Sequence, residues 1–268
     1  MLLIMPPWEK REEGKFTFLY FSSFAEPAGL MRKVRESQVI AHRGRGGIRV
    51  IELDGRKLVV RAYRHGGLFR AFTGAFFLDQ ERVISEAEVM AYLRESGVPV
   101  AAPFAAVIER IFLLKRLYLL TIFEEDAVSL LEYLKNNRKR ERRRAIRAFA
   151  DLLWRLEQAG VYHRDLHLQN VLVDRRGRLM LLDFDRAVRK TLLRKDVESM
   201  VRRLCRFAEK MERRGRLDTD GIEKALFMRA YSRLSGYDIQ GSISSSRVVR
   251  SWLHRLGWLF ESFLFGDR

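Results

Sequence analysis

His163-Arg164-Asp165-Leu166-His167-Leu168-Gln169-Asn170, followed thirteen residues on by Asp183-Phe184-Asp185, is the stretch on which the reading of this chain turns. It places a carboxylate, a carboxamide and a second carboxylate around two apolar runs, Val171-Leu172-Val173 and Leu179-Met180-Leu181-Leu182. Asp174-Arg175-Arg176-Gly177-Arg178 joins the runs, a strand–turn–strand pattern. Such a hairpin brings Asn170 and Asp183 to one edge, where a divalent ion can take an oxygen from each. Asp165 adds a carboxylate able to orient a hydroxyl and take its proton. Alone, each piece has an ordinary explanation: an ion pair of Asp165 with Arg164, a turn at Asn170, a helix cap at Asp183. In this order and at this spacing they point to phosphoryl transfer, where the protein mainly positions groups and neutralises charge.

Composition bounds the setting. The chain has 268 residues, 47% of them hydrophobic, enough for one large core or two smaller ones sharing a cleft. Cys205 is its one cysteine, so no internal disulfide forms and a reducing compartment is expected. The start, Met1-Leu2-Leu3-Ile4-Met5-Pro6-Pro7, lacks the basic flank and long apolar stretch of a signal peptide. The longest apolar region, Ile111 to Phe123, is broken by Lys115 and Arg116 and is too short to cross a bilayer. A formal net charge of +17 concentrates in Arg138 to Arg144 and in a helix-like run from Arg186 through Arg216. Such a field attracts polyanions, nucleic acid or an anionic membrane face, unless it is only a solvated arginine-rich surface.

The pattern of residues predicts an α+β fold in two parts. Strands are expected over Val39 to Glu52, around Gly44-Arg45-Gly46-Gly47, and over Lys57 to Tyr63, Pro103 to Ile108 and Leu117 to Phe123. One helix, Glu81 to Ser96, lies among them and is stopped by Gly97 and Pro99. Beyond Phe123 the spacing turns helical. Ser129 is the expected N-cap of a helix to Leu134, with Glu132 completing a capping box, and a second helix runs from Ala145 to Gln158 with Gly160 as its stop. After Asp185 nearly everything reads as helix. The boundary implied is 1–123 for a small β-rich unit with one helix and 124–268 for a larger, mainly helical one.

The H-R-D-L-x-x-x-N loop and the D-F-x turn resemble the catalytic loop and metal-binding turn of eukaryotic-like kinases. On that resemblance His163 braces its loop, and Gly44, Arg45, Gly46 and Gly47 cover a triphosphate, glycines letting backbone N–H groups close on phosphate oxygens. Arg61 stands where V-A-I-K would place its lysine, with Lys57 as the alternative, and Glu86 is its expected partner, with Glu88 the rival.

Four segments sharpen the likeness: Gly44-Arg45-Gly46, Arg61-Ala62-Tyr63-Arg64-His65-Gly66-Gly67-Leu68, the H-R-D-L-x-x-x-N loop and Asp183-Phe184-Asp185-Arg186. Together they resemble the lipopolysaccharide kinase family, which phosphorylates 3-deoxy-D-manno-octulosonic acid (Kdo) or heptose of the inner core. The resemblance implies a protein-kinase-like two-lobed fold, ATP and Mg²⁺ as cofactors, Asp165 as the catalytic residue and Asn170 and Asp183 as metal ligands. It implies a lipid-linked sugar acceptor of the lipid A–Kdo type, and action on the cytoplasmic face of the inner membrane rather than on nucleic acid. Asn170 favours the Kdo branch, whereas His167 stands where that branch usually has asparagine. A small atypical protein kinase and a non-catalytic basic adaptor are the competing readings. Arg247 to Phe265 is amphipathic, suited either to a membrane interface or to core packing.

Overall fold

Strand β6 (Pro103–Ile111) is buried at its first seven positions, a run that fits a strand covered on both faces. The computed structural model describes residues 8–21, 27–37, 39–41, 48–64 and 74–241. It places β6 inside a seven-stranded antiparallel sheet with β1 (Glu9–Glu13), β2 (Phe16–Tyr20), β3 (Val39–Ala41), β4 (Ile48–Leu53), β5 (Arg56–Ala62) and β7 (Leu114–Ile122). The strand order is β1-β2-β6-β7-β5-β4-β3. One face buries Phe18, Leu58, Val60, Phe104 and Leu120 with Leu30, Met31 and Val34 of helix α1 (Pro27–Glu36). The sheet-bearing segment therefore contains two helices where the sequence suggested one. Arg35 of α1 reaches Glu109, a buried carboxylate that also takes Lys15.

The other face carries the site. Helix α2 (Glu81–Glu95) buries Val83, Ala87, Met90 and Leu93 in a core that continues into the helical half. It ends as the sequence predicts: Gly97 takes φ +73°, and Gly97 and Val98 donate to Arg94 and Leu93 carbonyls at 3.0 and 2.8 Å. The chain then runs past the Val171–Leu181 hairpin, with Ala101 N–H donating to Leu181 O at 3.0 Å and Leu181 N–H to Pro99 O at 2.9 Å.

Beyond the sheet, β8 (Val128–Ser129) leads into α3 (Leu130–Asn136), whose Ser129 hydroxyl accepts from Glu132 N–H at 3.2 Å, the cap expected. Helix α4 (Lys139–Gln158) begins six residues earlier than its apolar pattern suggested. The arginine run is its first two turns, and Arg142 pairs with buried Glu223 at 2.5 Å. Gly160 (φ +65°) stops α4, and a Cβ there would lie 2.8 Å from Lys190 O. Strands β9 (Val161–Tyr162), β10 (Val171–Val173), β11 (Leu179–Leu181) and β12 (Val188–Arg189) frame the catalytic segment. The β10–β11 hairpin pairs Val171 with Leu181 and Val173 with Leu179. Helices α5 (Arg194–Arg213) and α6 (Gly221–Ser235) follow, so the stretch after Asp185 is less uniformly helical than the sequence implied. Among the described residues no helix is long and apolar enough to cross a membrane.

Candidate active site

The H-R-D-L-x-x-x-N loop is built around a buried histidine. His163, 1% exposed, accepts the Asp165 N–H at Nδ1 (3.2 Å) and contacts Leu182 O through Nε2 (3.0 Å). A backbone amide can only donate, so Nδ1 carries the lone pair and Nε2 carries the proton. Asn170 closes the other side: its Nδ2 donates to Asp165 O at 2.9 Å, and its backbone carbonyl accepts Leu182 N–H at 2.8 Å. Loop and hairpin are thus tied through backbone atoms, and the Asp165 carboxylate stays 61% exposed. The Arg164 partner considered from sequence is replaced by His167, whose Nε2 lies 3.6 Å from Asp165 Oδ2. The His167 ring stacks on Phe207 at 4.5 Å.

Burial pushes the His163 imidazole below its ordinary value. The unfolded chain takes up this proton first, so the contribution of neutral His163 is complete above about pH 6.5 and is lost as pH falls through the depressed folded value. The melting temperature should therefore drop on mild acidification by more in the wild type than in His163→Gln; equal slopes in the two proteins would remove this role.

Asp183 sits at the end of β11 with φ 58°, a left-handed conformation that turns the chain sharply into Phe184 and Asp185. Arg61 of β5 donates to its Oδ1 at 2.5 Å. The same guanidinium donates to Glu86 Oε2 and, at 3.0 Å, to Tyr63 Oη. Glu86, 2% exposed on α2, accepts Tyr63 O–H as well and takes Phe184 N–H at Oε1, 3.0 Å away. Three donors therefore converge on one buried carboxylate. Burial raises the Glu86 carboxyl, opposed chiefly by Arg61. Desolvation works against the Arg61 charge, but Glu86 and Asp183 outweigh it and hold that charge firmly.

A second fork sits beside this one. Arg82 donates Nε to Asp185 Oδ1 at 2.7 Å and Nη2 to Oδ2, so α2 grips the turn on both sides of Phe184. Burial opposes ionisation of Asp185, yet Arg82 keeps its carboxyl below the usual range.

Of the residues singled out in the sequence, Arg61, Glu86 and Asp183 meet directly, and Asp165 and Asn170 share one loop. Lys57 instead pairs with Glu125 at the surface, and Glu88 is exposed, so neither alternative joins the cluster. Gly44 to Gly47, His65 to Leu68 and Arg247 to Phe265 lie outside the described residues. Tyr63, Arg82 and Asp185 were not picked as site residues. The signal for Tyr63 was present, since residues two apart on a strand share a face.

The residues fit a hard divalent cation. Asn170 spends its amide nitrogen on Asp165 O, which leaves its carbonyl oxygen as the donor atom for a metal. Asp183 has a second carboxylate oxygen beyond the one Arg61 holds. One carboxylate and one carbonyl suit Mg²⁺, which completes its shell with water and phosphate oxygens.

An antiparallel sheet whose basic residue pairs with a glutamate on the adjoining helix, set over a histidine-braced H-R-D loop, defines a protein-kinase-like α+β fold. Residues 30–231 match the profile of the lipopolysaccharide kinase (Kdo/WaaP) family. The chain belongs to that family, and it is a phosphotransferase acting on a sugar hydroxyl. It is 28% identical over 211 residues to a 3-deoxy-D-manno-octulosonic acid kinase of Xylella fastidiosa strain 9a5c, covering 77% of this chain and 81% of that one. It is 30% identical over 234 residues to the enzyme of the same name from Stenotrophomonas maltophilia strain K279a, covering 82% and 84%. The Cydia pomonella granulovirus kinase PK-1 aligns with a TM-score of 0.42 at 14% identity, over 60% of this chain and 55% of that one; the fold reading rests on the arrangement described above and not on that superposition.

Proposed function

We propose that the protein transfers the terminal phosphoryl group of ATP to a hydroxyl of Kdo on a lipid A precursor. The observation that carries this reading is the exposed Asp165 carboxylate, held by its own backbone between His163 and Asn170 beside the Asp183 turn. The kinship to Kdo kinases over about four fifths of their length supports the acceptor.

In this reading the sugar O–H donates to the Asp165 carboxylate. As the sugar oxygen bonds to phosphorus and the bond to the departing ADP breaks, the hydroxyl proton passes to Asp165 and later to solvent. Asn170 and Asp183 would hold Mg²⁺, which neutralises phosphate charge. Glu86 and Tyr63 fix the Arg61 guanidinium at the same turn, and Gly44 to Gly47 would cover the nucleotide. Residues 1–123 and 124–268 would then be the two lobes flanking the nucleotide. A lipid-anchored acceptor also gives the basic surface a partner, an anionic bilayer on the cytoplasmic side of the inner membrane. Part of that charge is already engaged internally, as in Arg142–Glu223 and Arg202–Glu198.

Purified protein with Mg²⁺-ATP and Kdo–lipid A should yield a singly phosphorylated Kdo by mass spectrometry. Phosphate found on heptose of a longer core would change the acceptor, and labelling of proteins in place of glycolipid would overturn the reading.

A further inference from the structure

Strands β6 and β7 are joined by a two-residue turn: Ile111 pairs with Leu114, leaving Phe112 and Leu113 at the tip. Such turns favour glycine or asparagine where φ is positive, yet Phe112 takes φ 55°. A bulky residue held in that region is strained, and strain that persists calls for a compensating use. Phe112 is fully exposed and Leu113 is 88% exposed. Beside them Leu78 is 78% exposed, because Phe77 and Lys115 exchange backbone hydrogen bonds at 2.8 and 2.7 Å and bring it next to Leu114. Phe112, Leu113 and Leu78 therefore project outward with nothing in the described fold covering them, and Leu114 beside them is 38% exposed.

Cations collar this tip. Arg110, Lys115 and Arg116 belong to the same hairpin, and Arg110 N–H donates to Lys15 O of the adjacent β1–β2 turn at 2.8 Å. The acidic neighbours are largely engaged: Glu109 is buried against Lys15 and Arg35, Glu12 pairs with Lys10 and lies 4.0 Å from Arg110, and Asp79 caps the Glu81 N–H at 3.2 Å, which leaves Lys115 and Arg116 as the cations nearest the tip without a carboxylate partner among the described ion pairs. An apolar point ringed by basic side chains matches a bilayer with anionic headgroups, where apolar groups enter the acyl boundary and cations stay at the phosphates. The shape argues the same way. A convex two-residue tip offers little of the roughly 1,600 Å² that a specific protein interface buries.

We infer that the Phe112–Leu113 hairpin tip, with Leu78 and Leu114, inserts into an anionic membrane surface and seats the enzyme beside its acceptor. This deepens the lipid-linked reading above and rests on it. The tip connects to the site through Phe77, whose backbone pairs with Lys115 and whose ring lies 5.6 Å from the Arg82 guanidinium, which itself grips Asp185.

The test uses the full chain and vesicles of equimolar phosphatidylglycerol and phosphatidylcholine, with phosphatidylcholine alone as the uncharged arm. Wild type should co-sediment with the anionic vesicles, and the double variant Phe112→Asn, Leu113→Asn should partition at least about tenfold more weakly. Asparagine tolerates positive φ, so the variant should melt no lower than wild type. Its turnover on a soluble, deacylated acceptor should match wild type while turnover on vesicle-embedded acceptor falls. Undiminished vesicle binding by the variant overturns the inference, as does a wild type that ignores anionic vesicles, whether or not it forms a dimer that the variant loses. If neither protein phosphorylates the soluble acceptor, the proposed reaction fails while the vesicle measurement still decides the tip.

Discussion

Asp165→Ala is expected to lower turnover by about three orders of magnitude, the loss typical of a positioned proton acceptor. The fold should survive, because the structural work at this position is done by the backbone: its N–H serves His163 and its carbonyl serves Asn170. The side chain itself is mostly in solvent, with His167 as its nearest polar neighbour. Asp165→Asn divides the role further, since it keeps the shape and loses the ability to take a proton. Rates measured on the glycolipid, alongside melting curves, check both variants. A variant that melts like wild type and still turns over at its rate would strip Asp165 of the assigned chemistry.

Glu86→Ala should be the most damaging single change to stability near the site. It removes at once the buried acceptor shared by the Arg61 guanidinium, the Tyr63 hydroxyl and the Phe184 N–H. Breaking one side of a buried ion pair costs ~3–5 kcal/mol, and for a chain of this size that lowers the melting temperature by about 10 °C. Turnover should fall too, since Arg61 would retain only Tyr63 and Asp183. Glu86→Gln keeps an acceptor for Phe184 N–H but not the charge, and should land between the two. Calorimetry that finds Glu86→Ala as stable as the parent would mean the three contacts contribute nothing net.

The parts of the molecule that could be read from its residues are those whose signal is local. The α2 periodicity with its Gly97 stop, the Ser129 cap and the β10–β11 hairpin each follow from short-range pattern, and each is present. The Arg61–Glu86 pairing was expected from the resemblance to kinases, with Lys57 and Glu88 as alternatives that the structure places elsewhere. The edge strand β1 was not: all five of its residues, Glu9 to Glu13, are exposed, so no buried alternation marks it. Helix α1 was hidden because only Leu30, Met31 and Val34 carry its apolar face. The start of α4 was missed for a related reason. Its first turns are arginine-rich, and their fit is set by Glu223, more than eighty residues away in sequence. The Arg82–Asp185 fork likewise joins residues 103 apart, a distance over which pattern gives no warning.

Only seven residues separate Arg186 from the start of α5 at Arg194, and β12, pinned to β9, takes up two of them. Among the described residues, a polypeptide acceptor would find no extended shelf to lie along at this edge. If the acceptor is lipid-linked as proposed, the alignment that other kinases obtain by gripping their target would fall here to the surface displaying it. Catalytic efficiency would then be a property of two dimensions, governed by lateral density of acceptor more than by its bulk concentration.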